Sequence, residues 1–320
     1  MNYFPVDRKK EARKPESNPQ IMNTFTHKRT AGGVVLLNKP SGITSFQALY
    51  PVKKAIPGKK IGHTGTLDKF ASGLLVILTG PFTKLNQLFI NFGKAYRATF
   101  TFGTQTDTLD PSGTVTKTAP PPSEDSIRSR LPEFLGNILQ IPPEYSAVHV
   151  NGNRAYQLAR KGREVDIPPR NIRIDEFSLV SSRNSEADFF IRCSKGTYIR
   201  ALARDLGKIC GSAAHVTKLE RVEVGPFSLE DAVPPEKFDP HRHLLTPETF
   251  LSKISGIRSI KVSEYEKNRI GHGTPPELVL SPLSFPALYA VFGPGSELAA
   301  LIDNTGDRAK YLLVIPPETK

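Results

Sequence analysis

Two stretches of the chain are aliphatic without interruption, residues 34–37 and 74–78. Runs this short and this pure predict strands buried on both faces. Residues 96–103 alternate instead, which predicts a strand with one half-exposed face. Residues 170–180 and 189–193 read as two strands of a meander, and 215–224 as a further strand. The clearest helical period covers 197–210, where Ile199, Leu202, Ala203, Leu206 and Ile209 form one apolar stripe. Arg200 and Arg204 lie a turn apart beside that stripe, and Gly211 is placed to end the helix. Shorter helices are expected over 44–55, with Pro51 kinking it, over 82–92, over 123–134 and over 155–161. A proline-rich break at 233–247 is followed by short β-runs at 260–262, 278–280, 287–292, 297–302 and 311–315. They predict a small all-β module at the C-terminal end. Residues 1–31 show no hydrophobic period and read as a disordered basic tail.

Composition narrows the class. With 320 residues, 38% hydrophobic and 23% charged, the chain is long enough for a packed core and a second small unit. No apolar run approaches the roughly 20 residues of a membrane helix, and the polar N-terminus lacks a signal h-region. Cys193 and Cys210 form no CxxC pair and read as small buried residues of a protein from the reducing cytoplasm. The seven histidines show no HExxH or similar spacing, so no metal is expected. The 43 Lys and Arg against 31 Asp and Glu give a net charge of +12. A balance this basic points to a polyanionic partner, nucleic acid first.

Three segments carry candidate chemistry. Gly62-His-Thr-Gly-Thr-Leu-Asp68 is glycine-rich, lacks the Walker-A pattern, and ends in the only acid between Glu16 and Asp107. Lysines 53, 54, 59, 60 and 69 surround Asp68 in sequence, so its carboxylate should be ionised and available as nucleophile or base; alternatively it only braces a turn. Cys193-Ser-Lys-Gly-Thr-Tyr-Ile-Arg200 runs from a strand through a turn into the best helix. There Arg200 falls in the first turn, where a cation is disfavoured unless an anion faces it. Gln140-Ile-Pro-Pro-Glu-Tyr-Ser-Ala147, with Lys94-Ala-Tyr-Arg-Ala98 upstream, offers tyrosines and basic residues suited to stacking bases and holding phosphates.

In this order, with Leu37-Asn-Lys-Pro-Ser-Gly42 ahead of them and Gly103-Thr-Gln-Thr-Asp107 and Gly225-Pro-Phe-Ser228 besides, these segments resemble the TruB family of tRNA pseudouridine-55 synthases, bacterial type. The resemblance covers about residues 32–235 and implies an α+β fold. A mixed, mainly antiparallel sheet would carry flanking helices, with a small C-terminal PUA-like β module. It divides the chain into the tail 1–31, a catalytic domain 32–250 and an RNA-binding module 251–320. The implied reaction isomerises uridine 55 in the T-arm of tRNA, by a monomer in the cytoplasm, with no cofactor and no metal. Carried over by motif, Asp68 is the catalytic aspartate, Arg200 its partner, and Tyr96 the tyrosine stacked on the target base. His63 fills the space left by the flipped base, Lys39 is the first-motif lysine near the site, and Tyr145 and Tyr198 are expected on the substrate. One departure concerns Lys69, which stands where the family has proline after the aspartate and removes a rigid turn. A guide-RNA-directed synthase and a non-catalytic RNA-folding factor are the alternative readings. The short C-terminal module argues against the first, and the intact Asp68, Tyr96 and Arg200 against the second as a sole role.

Overall fold

The computed structural model describes residues 32–316 apart from 151, 160, 162–165, 281, 282 and 284; the tail expected over 1–31 lies outside the described residues. In chain order come β1 (Val34–Lys39), α1 (Ser45–Ala48), α2 (Tyr50–Ala55), β2 (Ile61–His63), β3 (Ser72–Thr79) and β4 (Lys94–Phe102). They are followed by β5 (Gly136–Gln140), β6 (Arg170–Arg183), β7 (Glu186–Cys193), α3 (Ile199–Ile209), β8 (Ala214–Val224), β9 (Phe227–Ser228) and β10 (Leu244–Leu245). The ten strands make one mixed sheet in the order β10-β1-β3-β8-β4-β7-β6-β5, with β2 on β3 and β9 on β8. Every pairing is antiparallel except that of β3 with β8, which spans two residue pairs, Glu220 with Ser72 and Arg221 with Gly73. The sheet is thus two halves joined at a short parallel seam. Gly73 makes the seam feasible: its φ is +101°, and a Cβ there would stand 2.3 Å from the Arg221 carbonyl oxygen.

The half built on β1 and β3 is covered on both faces, which explains the two aliphatic runs. Val35, Leu37, Leu75 and Ile77 meet Ala48, Leu49 and Val52 from α1 and α2. Val34, Leu36, Leu74, Val76 and Leu78 face the other way, onto Phe82, Phe89, Phe227 and Phe250. Thr44 caps α1 in a capping box with Gln47. The single kinked helix expected over 44–55 is two helices, with Pro51 in the first turn of α2, where its missing N–H costs nothing. In the other half, α3 lays Ile199, Leu202, Ala203 and Leu206 against Phe100, Phe189, Ile191 and Val216.

The C-terminal sheet runs in the order β11 (Ile257–Lys261), β12 (Leu288–Phe292), β13 (Leu298–Asp303) and β14 (Lys310–Val314). β11 and β12 are parallel, so the chain must cross over between them, and α4 (Glu264–Gly271) and α5 (Pro276–Val279) lie in that crossover. The strand expected at 278–280 is therefore corrected: Leu278 and Val279 belong to α5, started by Pro276 at a position that suits its fixed φ. Ala290, Phe292, Leu298, Leu301 and Leu313 of the C-terminal sheet share one apolar cluster with the β1–β3 face. Phe250 and Leu251, both from the helix Pro247–Ser252, are buried in the same cluster.

Candidate active site

The seam carries the chemistry. Asp68 lies just ahead of β3 in a loop bolted to the start of α1. The Ser45 hydroxyl donates to the Leu67 carbonyl at 3.0 Å and accepts its N–H at 2.9 Å. The Ser41 hydroxyl donates to the Phe70 carbonyl at 2.6 Å, and the Gly42 N–H to the Lys69 carbonyl at 2.8 Å. These bonds hold the turn at Lys69 without a proline ring, while the Lys69 side chain stays exposed.

Arg200, in the first turn of α3, is 5% exposed and spends its guanidinium on four groups. Its Nε lies 2.9 Å from Asp68 Oδ2, and Nη2 donates to Asp68 Oδ1 at 3.4 Å. Nη1 donates to the Thr108 carbonyl at 2.6 Å and to Asp110 Oδ2 at 3.4 Å, and Nη2 to the Tyr145 carbonyl at 3.0 Å. The anion that the helix position demanded is thus present twice. Asp110 is buried and fixed by the Thr108 hydroxyl at 2.8 Å, the Ser112 N–H at 2.9 Å and the Ser112 hydroxyl at 2.5 Å. The Asp68 side chain stays 40% exposed, toward the cleft. Burial of its surroundings raises the Asp68 pKa, the Arg200 charge pulls it back and the Asp110 charge raises it; the net lies above the ordinary carboxylate value.

Across the seam, Tyr96 on β4 pairs in register with Arg221 on β8. Tyr96 is 9% exposed, and burial pushes its phenol up to about 12, so the ring is neutral at any working pH. Arg221 is 3% exposed. It donates from Nε to the Leu74 carbonyl at 2.8 Å and from Nη2 to the Gly65 carbonyl at 3.0 Å. Those two carbonyls bracket the segment that holds Asp68. No ion pair among the described residues includes Arg221. His63, on β2, is lowered in pKa first by burial and then by the Arg221 charge, so its imidazole is neutral at pH 7. Its Nδ1 is buried with no hydrogen-bond partner among the described residues.

A cleft of about 1250 Å³ opens over the seam, lined by Asp68, Arg200, Tyr96, His63, Tyr145, Tyr198 and Arg221 among others. It exceeds the roughly 300–1,000 Å³ of small-ligand pockets, which suits a nucleotide entering as part of a polymer. Tyr198 caps α3, and its peptide is held in both directions by the buried Gln140, at 2.9 and 3.1 Å. Lys39 is placed differently from the other expected residues. It does not line the cleft; it is fully buried, and its ammonium donates to the carbonyls of Pro40 at 2.9 Å and Ile43 at 2.8 Å. Burial lowers it to about 8, while the nearby Asp68 charge raises it. Among the described residues no group of three or more His, Cys, Asp or Glu is placed to hold a metal ion.

Asp110 and Arg221 were not singled out by sequence. Asp110 sits in Asp107-Thr-Leu-Asp-Pro-Ser-Gly113, a string of turn formers that reads as surface loop. Arg221 reads as one polar position of an alternating strand. Nothing local distinguishes either from a solvated residue.

Residues 53–199 match the N-terminal domain of the TruB family of pseudouridylate synthases. The chain is 36% identical over 286 residues to tRNA pseudouridine synthase B of Borrelia garinii subsp. bavariensis, covering 88% of this chain and 99% of that protein. It is 39% identical over 248 residues to tRNA pseudouridine synthase B of Aquifex aeolicus, covering 75% of this chain and 85% of that one. Among solved structures, an H/ACA ribonucleoprotein bound to a substrate RNA containing 2′-deoxyuridine has a chain of the same fold, with TM-score 0.62 and 21% identity over 90% of this chain and 86% of that one. Similarity in sequence along nearly the whole of a relative, together with the shared fold, identifies this chain as a member of the TruB family of pseudouridine synthases.

Proposed function

We propose that this chain isomerises uridine to pseudouridine at position 55, in the T-arm of tRNA, with Asp68 as the reacting carboxylate. The observation that carries the reading is the Asp68–Arg200 pair, closed on both oxygens and open to a polymer-sized cleft. The names of the relatives support tRNA as substrate.

The reaction breaks the bond from C1′ to N1 and joins C1′ to C5 of the same base. C5 loses its proton and N1 gains one, so no atom is added. Attack of the carboxylate on C6, attack on C1′ and removal of a ribose proton all begin from the ionised aspartate. Arg200 favours that ionised form, and its fork fixes the direction of the lone pairs. The target base must first leave its stack, at a cost of a few kcal/mol. His63, neutral and with a spare ring nitrogen, suits the vacated space. Tyr96 offers a ring face for the flipped base. Tyr145 and Tyr198, on the α3 side of the cleft, suit the neighbouring nucleotides. Lys39 acts on Asp68 through its charge from behind the loop.

Asp68→Asn is nearly isosteric but can serve neither as nucleophile nor as base. Carbodiimide mapping of tRNA incubated with this variant should show no pseudouridine at position 55, a loss of about 10⁴-fold or more, with tRNA binding retained. A near-wild-type rate overturns the assignment of Asp68. Modification by the wild type at another uridine, with position 55 silent, overturns the assignment of the T-arm.

A further inference from the structure

The helices α1 and α2 bury one face and leave the other bare. Ala48, Leu49 and Val52 point into the core. On the outside stand Phe46, 68% exposed, and Tyr50, 69% exposed. Lys53 and Lys54 are exposed beside them, with the Lys53 ammonium 4.3 Å from the centre of the Phe46 ring. Lys59 and Lys60, also exposed, close the segment. No Asp or Glu occurs between Ser41 and Leu67, so no acid of the same stretch faces Lys53 or Lys54.

Two exposed aromatic rings beside the exposed Lys53 and Lys54 fit one partner chemistry well. Phosphates satisfy the ammonium groups, and any base presents a flat face to a ring. An apolar protein surface would leave the lysines desolvated, and an acidic one would leave the rings little to stack on. The placement points the same way. Ser41 and Gly42 line the cleft, and Ser41, Gly42 and Ser45 tie the start of α1 to the loop that holds Asp68. Phe46, Tyr50, Lys53 and Lys54 lie on the two helices that begin at this rim.

We propose that the outer face of α1 and α2 is an RNA-docking surface, with Lys53 and Lys54 on backbone phosphates and Phe46 and Tyr50 against an unpaired base. It rests on the reading of RNA as substrate, and extends it to a surface outside the cleft.

Two double variants of the full chain test it, Lys53→Gln/Lys54→Gln and Phe46→Ser/Tyr50→Ser. All four side chains are exposed, so the melting temperature should not move. The probe is transcribed tRNA carrying tritium at uridine C5. Filter binding over a salt series gives affinity, and tritium release at saturating enzyme gives the rate of chemistry. Each variant should bind about tenfold more weakly. The lysine variant alone should lower the slope of log affinity against log salt, by about 1.4 to 1.8 for two lost phosphate contacts. Both should release tritium within about twofold of wild type, since neither touches the reacting atoms. Wild-type affinity and salt slope in both variants overturn the surface. If the wild type releases no tritium from tRNA, the reading of the active site fails instead, whatever the variants bind.

Discussion

The two buried arginines of the cleft are held by opposite means. Arg200 sits between two carboxylates, Asp68 and Asp110. Arg221 donates to two carbonyls. Taking a guanidinium out of water costs several kcal/mol, and each wall of the cleft offsets that cost in its own way. At Arg200 the offset is charge pairing, which acts in both directions: the arginine is stabilised, and Asp68 is drawn toward its ionised form and aimed. At Arg221 the offset is neutral hydrogen bonding, which leaves a net positive charge in the wall. That charge contributes to lowering His63, Lys94 and Lys39, after burial in each case. The leading influences on Asp68, after burial, are instead Arg200, Asp110 and Lys39. One arginine therefore sets the charge state of the reacting carboxylate. The other sets where the loop that carries it lies.

The largest test of this division is removal of Arg200. The reactive form of Asp68 is ionised and its pKa is raised, so the wild-type rate should fall as pH falls through that raised value. Arg200→Ala removes the strongest charge holding the pKa down. The acid limb should then move to higher pH, and the single-turnover rate at pH 7 should drop by about 10³-fold, recovering in part as pH rises. Arg200→Lys keeps a positive charge but not the fork, so it should cost about 10²-fold with a smaller movement of the limb. A wild-type limb in Arg200→Ala would separate the arginine from the charge state of Asp68 and break the comparison on that side.

Arg221→Lys should cost less, about tenfold in single-turnover rate, because one ammonium cannot bridge the Leu74 and Gly65 carbonyls as the guanidinium does. The acid limb should stay where it is, and the KM for tRNA should change little. Arg221→Met, which spans neither carbonyl and carries no charge, should be slower than Arg221→Lys with the limb still in place. A shifted limb in either variant would show that Arg221 governs charge as well as position.

The two walls also differ in how far the sequence disclosed them. Asp68 stood out because it is alone: no other acid lies near it in the chain. Arg200 stood out because a cation in a helix's first turn asks for an anion. Asp110 and Arg221 answer only to tertiary contacts, the first through the packing of the 106–113 loop on Arg200, the second through the seam between β3 and β8. The aliphatic runs disclosed β1 and β3 because both faces of these strands are covered. The parallel seam had no such signal, since it depends on two residue pairs and on Gly73. At 278–280 the apolar run was ambiguous between strand and helix, and the preceding Pro275-Pro276 decided it.

The smallest effect belongs to Lys39, and it tests whether proximity to a site means contact with substrate. Its ammonium is turned onto the Pro40 and Ile43 carbonyls, behind the loop rather than in the cleft. Its influence on Asp68 is a charge effect, smaller than that of Arg200 or Asp110. Lys39→Gln can still donate to one of the two carbonyls but carries no charge. The Asp68 pKa should rise slightly, so the acid limb should move up by less than in Arg200→Ala. The rate below the limb should fall and recover fully above it. The KM for tRNA and the salt dependence of binding should match wild type, because no phosphate contact is lost. A raised KM with a reduced salt slope and an unmoved limb would mean that the ammonium leaves its carbonyls to meet the RNA, and would return Lys39 to the cleft.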